Sequence, residues 1–290
     1  MILNPFKDKN VLVTGGSKGI GLEMAKELGR LGANVAILAR NKDDLESAKE
    51  QIESSGNIRV VAYACDVTDS ETLNDCINMV RFEFGSIDGV IANTGYCHPG
   101  NFHEINIKDF DRQIDTNLKG TVYTLRYAIP YILENDLGGF VAITSSPAGS
   151  AGIFGFSAYG ATKGALNNLA HVLRQEYGDK KIRVHLLMPP DTDTPGYREE
   201  IRLYPPETKS ILDGGPLMTP EAVGKKLIRG IANQKSVVVV GGMSKFLLIS
   251  LRLAPYIWER YVSWKKKSAR KSAEENEIAA NQSPSESTDE

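Results

Sequence analysis

The sequence predicts a single α/β domain built on a doubly wound parallel sheet. Seven short apolar runs alternate with amphipathic stretches, and a glycine-rich segment directly follows the first run. Strands that helices cover on both faces are apolar throughout, so near-continuous apolar runs indicate parallel pairing. A chain of 290 residues is within the range of one such domain with short extensions.

The elements follow one another in a regular strand–helix repeat. The predicted strands are Asn10–Thr14, Asn34–Ala39, Arg59–Ala64, Gly89–Asn93, Gly139–Thr144, Arg183–Met188 and Ser236–Val240. The predicted helices between them are Ile20–Leu31, Lys42–Ser54, Ser70–Phe84, Asn117–Glu134, Ala158–Gly178 and Pro220–Asn233. Because crossovers between parallel strands are right-handed, this order predicts a Rossmann-type fold with a seven-stranded sheet over residues 1–242.

Three stretches depart from the repeat. Pro189–Gly215 is rich in Pro, Asp, Thr and Gly, and we expect an irregular substrate lid there, at the carboxyl edge of the sheet. Residues 243–271 form an apolar, aromatic segment that ends in a basic cluster. Residues 272–290 carry little apolar content, and we expect a disordered polar tail.

Composition excludes several classes of protein. A formal net charge of −2 gives no reason to expect a nucleic-acid partner. The three cysteines lack Cys-x-x-Cys spacing, which favours reduced thiols and a cytoplasmic protein. The four histidines show no metal-ligand spacing, so no metal site is predicted.

A glycine-rich loop lies between the first predicted strand and helix. Glycines there permit a tight turn and let the backbone approach a pyrophosphate, which the positive end of the next helix attracts. The loop predicts cofactor contacts from Gly15, Ser17, Lys18, Gly19, Ile20 and Gly21.

The end of the second strand indicates which dinucleotide binds. NAD sites have an acidic residue there for the ribose hydroxyls, whereas this chain has Arg40. A guanidinium suits a 2′-phosphate, and Lys18 adds a second cation, so the sequence favours NADPH. Asp66 and Val67 follow the third strand, where adenine is expected, and Asn93 ends the fourth strand beside the cofactor.

Tyr159 and Lys163 stand four residues apart on a predicted helix, and therefore on one face of it. A phenol titrates near pH ~10, and a neighbouring ammonium favours its ionised form and lowers its pKa. Ser146 closes the fifth strand, and Asn117 adds a polar group to an otherwise apolar helix.

With these residues the chain resembles the short-chain dehydrogenase/reductase family from about Lys9 to Gly242. The resemblance implies that Tyr159 protonates a substrate carbonyl oxygen while hydride comes from the nicotinamide. Lys163 would hold the nicotinamide ribose and lower the pKa of Tyr159. Ser146 would hydrogen-bond the carbonyl, and Asn117 would hold a water that relays protons to Lys163. Further cofactor contacts are implied for Pro189, Thr192 and Thr194.

Within that family the chain is similar to reductases of 3-ketosphinganine, a long-chain aminoketone. Such a lipid-like substrate needs an apolar track and an anionic partner for its ammonium group. Candidates for the track are Ile153, Phe154, Phe156, Tyr197, Leu203 and Tyr204, and candidates for the anion are Asp193, Glu199 and Glu200. The alternative is that these aromatic residues only pack the lid and the acidic residues face water. Two other functions stay open: a 3-oxoacyl-carrier-protein or steroid-type ketone reductase, and an NADPH-binding regulator without catalysis.

The carboxyl-terminal segment is consistent with a lipid substrate. Phe246–Trp264 is apolar and aromatic but is interrupted by charges, and Lys265–Lys267, Arg270 and Lys271 follow. It falls short of the ~20 apolar residues of a spanning helix. We expect peripheral membrane contact by an interfacial helix, with the catalytic domain in the cytosol. The alternative is a helix folded back onto the domain or against a second subunit, and we also expect a homo-oligomer.

Overall fold

Seven parallel strands form one sheet in the order β3-β2-β1-β4-β5-β6-β7, in a computed structural model that describes residues 4–213, 215 and 217–282. Only the backbone of residues 270 and 272–282 is described. The strands are β1 Asn10–Thr14, β2 Asn34–Ala39, β3 Val60–Ala64, β4 Gly89–Ala92, β5 Gly139–Thr144, β6 Ile182–Met188 and β7 Val237–Val239. The predicted seven-stranded parallel sheet is confirmed.

Helices cover both faces of the sheet. They are α1 Gly19–Arg30, α2 Lys42–Glu53, α3 Ser70–Phe84, α4 Ile107–Gln113, α5 Gly120–Leu133, α6 Ser157–Tyr177, α7 Pro195–Glu200, α8 Pro206–Leu212, α9 Pro220–Ala232, α10 Gly242–Leu253 and α11 Pro255–Gln282. Leu28 of α1, Ile52 of α2 and Leu227 of α9 are buried in the core on one face. Ile77 of α3 and Leu166 of α6 are buried in the core on the other. This two-sided burial explains why the strands are almost entirely apolar.

The strand order reverses direction between β1 and β4. β1 pairs with β2 on one side and with β4 on the other. The chain therefore leaves β1 toward β2 and leaves β4 toward β5, in opposite halves of the sheet. In open α/β sheets a crevice for ligands forms at this switch point, outside the carboxyl ends of the strands. The loops after β1, β4 and β5 therefore meet at one edge.

Two expectations about local structure are wrong. The helix predicted from Asn117 to Glu134 begins at Gly120, and a π-helical turn at Ile114–Lys119 and the separate helix α4 precede it. The lid expected to be irregular contains α7, a 3₁₀ turn at Ile201–Leu203, and α8. Pro195 and Pro206 stand at the first positions of these helices, where a fixed φ and a missing N–H are favourable, so these prolines start helices rather than break them.

The carboxyl-terminal segment forms two helices that turn back onto the domain. The Trp258 indole of α11 donates to the Gly152 carbonyl at 3.0 Å, and Ser210 of α8 donates to the Lys265 carbonyl at 3.3 Å. Where a disordered tail was expected from residue 272, α11 continues to Gln282, and residues 283–290 lie outside the described part. Among the described residues, no helix is long and apolar enough to cross a membrane.

Candidate active site

The glycine loop after β1 has the backbone conformation that a dinucleotide cradle requires. Gly15 and Gly19 both have positive φ, +66° and +56°, which side chains rarely permit. A Cβ on Gly21 would collide with the Gly15 carbonyl, so the loop closes tightly only with glycine there. The helix that follows has no side-chain cap, so the amide groups of its first turn, including that of Ile20, can bind a pyrophosphate, and the half-buried Ser17 lies in the loop before it.

The adenosine end of the crevice is rich in charge. A groove of ≈ 310 Å³ is lined by Arg40, Asp66, Thr68, Lys108, Asp111, Arg112, Asp115 and Thr116. Arg40 thus lies where it was predicted, beside Asp66. The predicted second cation is differently placed, because the Lys18 ammonium pairs with the Asp44 carboxylate at 2.8 Å. The Val67 side chain is buried and lies against Gly120, so only its backbone can reach a ligand. Lys108 and Arg112 of α4 also line this groove, although they follow no strand and no sequence pattern predicts them there.

Asn93 holds the glycine loop to the two central strands. Its side-chain amide donates to the Gly15 carbonyl at 3.4 Å, and its Oδ1 accepts from the Thr144 hydroxyl at 3.2 Å. On the other side of the loop, a Cβ at Gly19 would stand 3.0 Å from the Thr194 side chain. The structure therefore brings β1, β4, β5 and the start of the lid around one crevice.

Two further predicted cofactor residues follow β6. Pro189 comes directly after the strand, and the Thr192 hydroxyl donates to the Pro190 carbonyl at 2.7 Å. Thr192 is buried and bridges to Met218, while Thr194 caps α7 by accepting from the Tyr197 amide at 3.1 Å. These contacts fix the start of the lid against the carboxyl edge of the sheet.

Tyr159 and Lys163 project together from α6 into this crevice. The Lys163 side chain is only 2% exposed, and its ammonium lies 5.5 Å from the centre of the Tyr159 ring. The ammonium donates to the Thr144 carbonyl at the end of β5, at 2.8 Å. The spacing predicted from the sequence is therefore confirmed as a spatial pair.

Burial controls the titration of both groups. It lowers the pKa of Lys163 to about 8, because the ammonium has lost most of its water. Burial, followed by the neighbouring Cys97 and Glu200, raises the pKa of Tyr159 well above its ordinary value, although a hydrogen bond with Ser146 acts in the opposite direction. The lowering of the Tyr159 pKa by Lys163, which the resemblance implies, stays a prediction. The phenol keeps its proton at neutral pH, as a proton donor must.

Ser146 begins the short 3₁₀ turn that follows β5. Its hydroxyl accepts from the Ala148 amide at 3.2 Å, and it lies next to Tyr159. The neighbouring Ser145 has a different role. Its hydroxyl donates to the Asn167 side chain at 2.6 Å and also contacts the Lys163 carbonyl at 3.1 Å. Of the two adjacent serines, Ser146 faces the crevice and Ser145 braces α6.

Asn117 is fully buried in the π-helical turn before α5. Its Oδ1 accepts from the Tyr96 amide at 2.7 Å, and its Nδ2 donates to the Tyr96 carbonyl at 2.8 Å and to Thr162 at 3.2 Å. The side chain therefore clamps the loop after β4 to α6. A Cβ at Gly95 would stand 3.4 Å from the Lys163 ammonium and 3.7 Å from Asn117 Oδ1, so both atoms border one small space. The predicted water relay remains a prediction.

The predicted substrate residues separate into two groups. Phe156 makes an edge-to-face contact with Tyr159, with ring centres 5.7 Å apart, and Ile153 packs in the same cluster. Phe154 instead lies against Lys266 of α11, whose ammonium is 4.9 Å from the ring centre. Asp193 pairs with Arg198 at 2.7 Å and takes no part in the crevice. Phe156 and Ile153 can therefore line a track, whereas Phe154 and Asp193 have partners elsewhere.

Two neighbours of Tyr159 were not identified from the sequence: Cys97 shows no motif, and Glu200 was only one of three acidic candidates. Cys97, in the loop after β4, packs in the same apolar cluster as Tyr159, and burial raises the pKa of its thiol well above the usual range. Glu200 lies at the end of α7. Its carboxylate accepts from the Tyr204 hydroxyl at 2.8 Å and hydrogen-bonds Cys97. Tyr197 lies close to the same carboxylate.

Comparison with known proteins supplies the family. Residues 9–202 match the short chain dehydrogenase family. The chain belongs to that family. It is 36% identical over 224 residues to the 3-ketodihydrosphingosine reductase of Mus musculus, covering 76% of this chain and 67% of that protein. It is 33% identical over 244 residues to the Dictyostelium discoideum protein of the same name, covering 79% and 73%. A solved short-chain type dehydrogenase/reductase from Mycobacterium marinum superposes with a TM-score of 0.76 at 26% identity, over 84% of this chain and 99% of that one.

This short-chain dehydrogenase is therefore an oxidoreductase that uses a nicotinamide cofactor. The residues present fit that cofactor. Gly15 and Gly19 have the backbone for a pyrophosphate cradle, and the groove beside Arg40 can take the adenosine end. Tyr159 and Lys163 stand farther along the same carboxyl edge, past the ends of β4 and β5.

Proposed function

We propose that this chain reduces 3-ketosphinganine to sphinganine with NADPH. The observation that supports the proposal most is the Tyr159–Lys163 pair, which lies beside Ser146 and is covered by the aromatic rings of Phe156 and Tyr204. Relatives of this chain are named for their action on this ketone. The substrate combines a long alkyl chain with a polar head that carries the ketone. Phe156, Ile153 and Tyr204 offer the apolar surface that the alkyl chain requires.

The chain's own residues supply the proton chemistry. A bound nicotinamide supplies the hydride that reaches the carbonyl carbon. Tyr159 donates its phenolic proton to the carbonyl oxygen, so that C=O becomes CH–OH and a phenolate remains. The Lys163 ammonium stabilises that phenolate, and the Ser146 hydroxyl hydrogen-bonds the oxygen as negative charge develops on it. The proton on Tyr159 is then restored from solvent by way of Lys163 and the space it shares with Asn117.

Arg40 supports NADPH over NADH as the hydride donor. It comes directly after β2, where an acidic residue would recognise the ribose hydroxyls of NAD, and it lines the groove at the adenosine end. A guanidinium can contact a 2′-phosphate with two parallel hydrogen bonds. Lys18 adds little here, since Asp44 already neutralises it.

A substrate panel tests the reaction. The purified chain is given NADPH with 3-ketosphinganine, an acetoacetyl thioester and a steroid ketone in parallel, and NADPH oxidation is followed. We expect the highest kcat/KM for 3-ketosphinganine. Faster reduction of either other ketone would contradict the proposal while leaving the reductase assignment intact.

We also propose that α10 and α11 bind a membrane surface through their outer face. Large apolar side chains recur there every three or four residues, so they lie on one side of the two helices. Phe246, Leu253 and Trp264 are 69%, 77% and 62% exposed. The remaining exposed members are Met243, Ile249, Tyr256 and Ile257. The inner face already has partners, because Trp258 contacts Gly152 before α6 and Tyr261 contacts Ile211 of α8.

Charge and position support a lipid surface as the partner. Lys245, Arg252, Arg260 and Lys267 are exposed on the same two helices, and each cation near an anionic leaflet contributes ~1 kcal/mol. The side chain of Arg270, also part of the predicted cluster, lies outside the described residues. Since α11 packs on α8, a bound membrane would lie next to the lid through which a lipid ketone must enter. We propose a peripheral protein with its catalytic domain in the cytosol; a homo-oligomer stays a prediction.

A further inference from the structure

We infer that Glu200 binds the ammonium group of the substrate and makes the enzyme selective for aminoketones over simple ketones. The inference rests on the proposed function, because 3-ketosphinganine carries its amino group on the carbon next to the carbonyl. A residue that meets this ammonium must therefore lie close to the Tyr159 hydroxyl.

The other two acidic candidates, Asp193 and Glu199, are already neutralised. Asp193 pairs with Arg198 at 2.7 Å, and Glu199 pairs with Arg202 at 3.0 Å, both near the surface. Glu200 has no ion pair among the described residues. Its partners are the neutral hydroxyl of Tyr204, at 2.8 Å, and the Cys97 thiol.

Glu200 also lies on the catalytic side of the lid. The Tyr204 ring that it contacts packs against Phe156 with ring centres 5.7 Å apart, and Phe156 packs against Tyr159 at the same separation. Its charge is near enough to raise the pKa of Tyr159. The carboxylate and the proton donor therefore lie at the same aromatic cluster.

The environment of Glu200 favours a cationic ligand. A carboxylate that has lost water without gaining a cation is costly, and burial raises the pKa of Glu200 to about 7. A substrate ammonium would supply the missing charge and form a charge-assisted hydrogen bond. A ketone of the same length without the amino group would leave the carboxylate unpaired.

The test compares two ketones on three forms of the full chain. The substrates are 3-ketosphinganine and its analogue with hydrogen in place of the amino group. The proteins are wild type, Glu200→Gln and the matched control Glu199→Gln, which removes a neighbouring carboxylate at the surface. We expect Glu200→Gln to raise KM for the aminoketone at least about tenfold and to leave the KM of the analogue within about twofold. Glu199→Gln should change neither.

Equal changes in KM for the two ketones, or none for either, would overturn the inference. Failure of the wild-type chain to reduce 3-ketosphinganine would contradict the proposed function instead. Should Glu200→Gln fail to melt cooperatively, inhibition of the wild type by a long-chain primary amine and by the alcohol of equal length gives a second test. The amine should bind at least about tenfold more tightly, and equal inhibition would again overturn the inference.

Discussion

At the scale of single residues, the chemistry depends on a tyrosine that keeps its proton. Burial and the neighbouring Cys97 and Glu200 hold the pKa of Tyr159 high, which suits donation to a carbonyl oxygen that gains negative charge. Lys163 stands close enough to stabilise the phenolate that forms. Both features suit the proposed reduction of a carbonyl group.

Replacing Tyr159 with Phe should abolish turnover while the cofactor still binds. The ring and its contact with Phe156 stay, and only the proton donor is lost. We expect kcat to fall by far more than tenfold, and NADPH titration by fluorescence should give an unchanged Kd. A variant that keeps more than about a tenth of the wild-type kcat, a barrier change under ~1.4 kcal/mol, would remove Tyr159 from the role of acid.

Arg40→Ala should weaken the binding of NADPH and leave the binding of NADH nearly unchanged. The guanidinium can contact the 2′-phosphate, which NADH lacks. We expect KM for NADPH to rise at least about tenfold, a cost of ~1.4 kcal/mol. The control is Arg59→Ala. Arg59 precedes β3, so it lies at the amino ends of the strands, away from the crevice at their carboxyl ends, and it pairs with Glu83. Equal losses for both cofactors in Arg40→Ala would show that Arg40 supports the fold rather than the phosphate.

At the scale of elements, α10 and α11 have two faces with different partners. The inner face contacts the segment before α6 through Trp258 and Lys266, and it contacts α8 of the lid through Tyr261, so the helices are part of the domain. The outer face leaves Phe246, Leu253 and Trp264 in solvent. Removing the helices would disturb the lid, so only surface substitutions can test membrane binding separately from folding.

The triple variant Phe246→Ser, Leu253→Ser, Trp264→Ser should lose its binding to anionic vesicles. Burial of each exposed apolar side chain in the lipid interface contributes roughly 1.5–3 kcal/mol at most, so three losses should abolish co-sedimentation. Wild-type binding should also weaken with salt, because part of the attraction is electrostatic.

The matched control is Phe82→Ser with Leu137→Ser, two side chains that are 86% and 85% exposed far from α10 and α11. It should bind vesicles like the wild type. Both forms should keep the wild-type melting temperature. A triple variant that binds vesicles normally but changes its oligomeric state would show that the face contacts a second copy of the chain.

At the scale of the whole molecule, the site exists because three loops meet at the switch point of the sheet. Asn93 follows β4, Ser146 follows β5 and Tyr159 begins the helix after that, yet all border one crevice. Placing Lys163 there buries an ammonium, and this lowers the stability of the fold in exchange for function.

Lys163→Met should be inactive but more stable than the wild type at pH 7. The pKa of Lys163 falls from 10.5 to about 8 on folding, so the unfolded chain binds the proton more tightly, and the charged side chain costs about 3 kcal/mol below pH 8. That cost disappears as the pH rises from about 8 to 10.5, because the unfolded chain then also loses its proton. Urea unfolding at pH 7 and pH 10 should show the advantage of the variant shrinking. A variant less stable than the wild type at pH 7 would show that the bond to Thr144 outweighs burial.

The sequence by itself determined the sheet, the glycine loop after the first strand and the pairing of Tyr159 with Lys163. Each of these follows from a local rule. Apolar runs and glycines mark strands and the loop, and a spacing of four places Tyr159 and Lys163 on one face of a helix. Such rules involve few residues, so no distant contact could change them. The lid is the exception, because a composition rich in Pro, Asp, Thr and Gly predicts irregular structure, whereas proline at a helix start, as at Pro195 and Pro206, obeys an equally local rule.

Only the tertiary structure decided which lid acid faces the site and where the last helices lie. Asp193, Glu199 and Glu200 are alike in sequence, but the start of α7 sets their directions, and Arg198 and Arg202 neutralise the first two. Likewise, an apolar segment with cations is compatible with a membrane or with a domain surface until its packing against α8 is known. These outcomes depend on the sum of many contacts between distant parts of the chain, and periodicity and spacing carry no information about that sum.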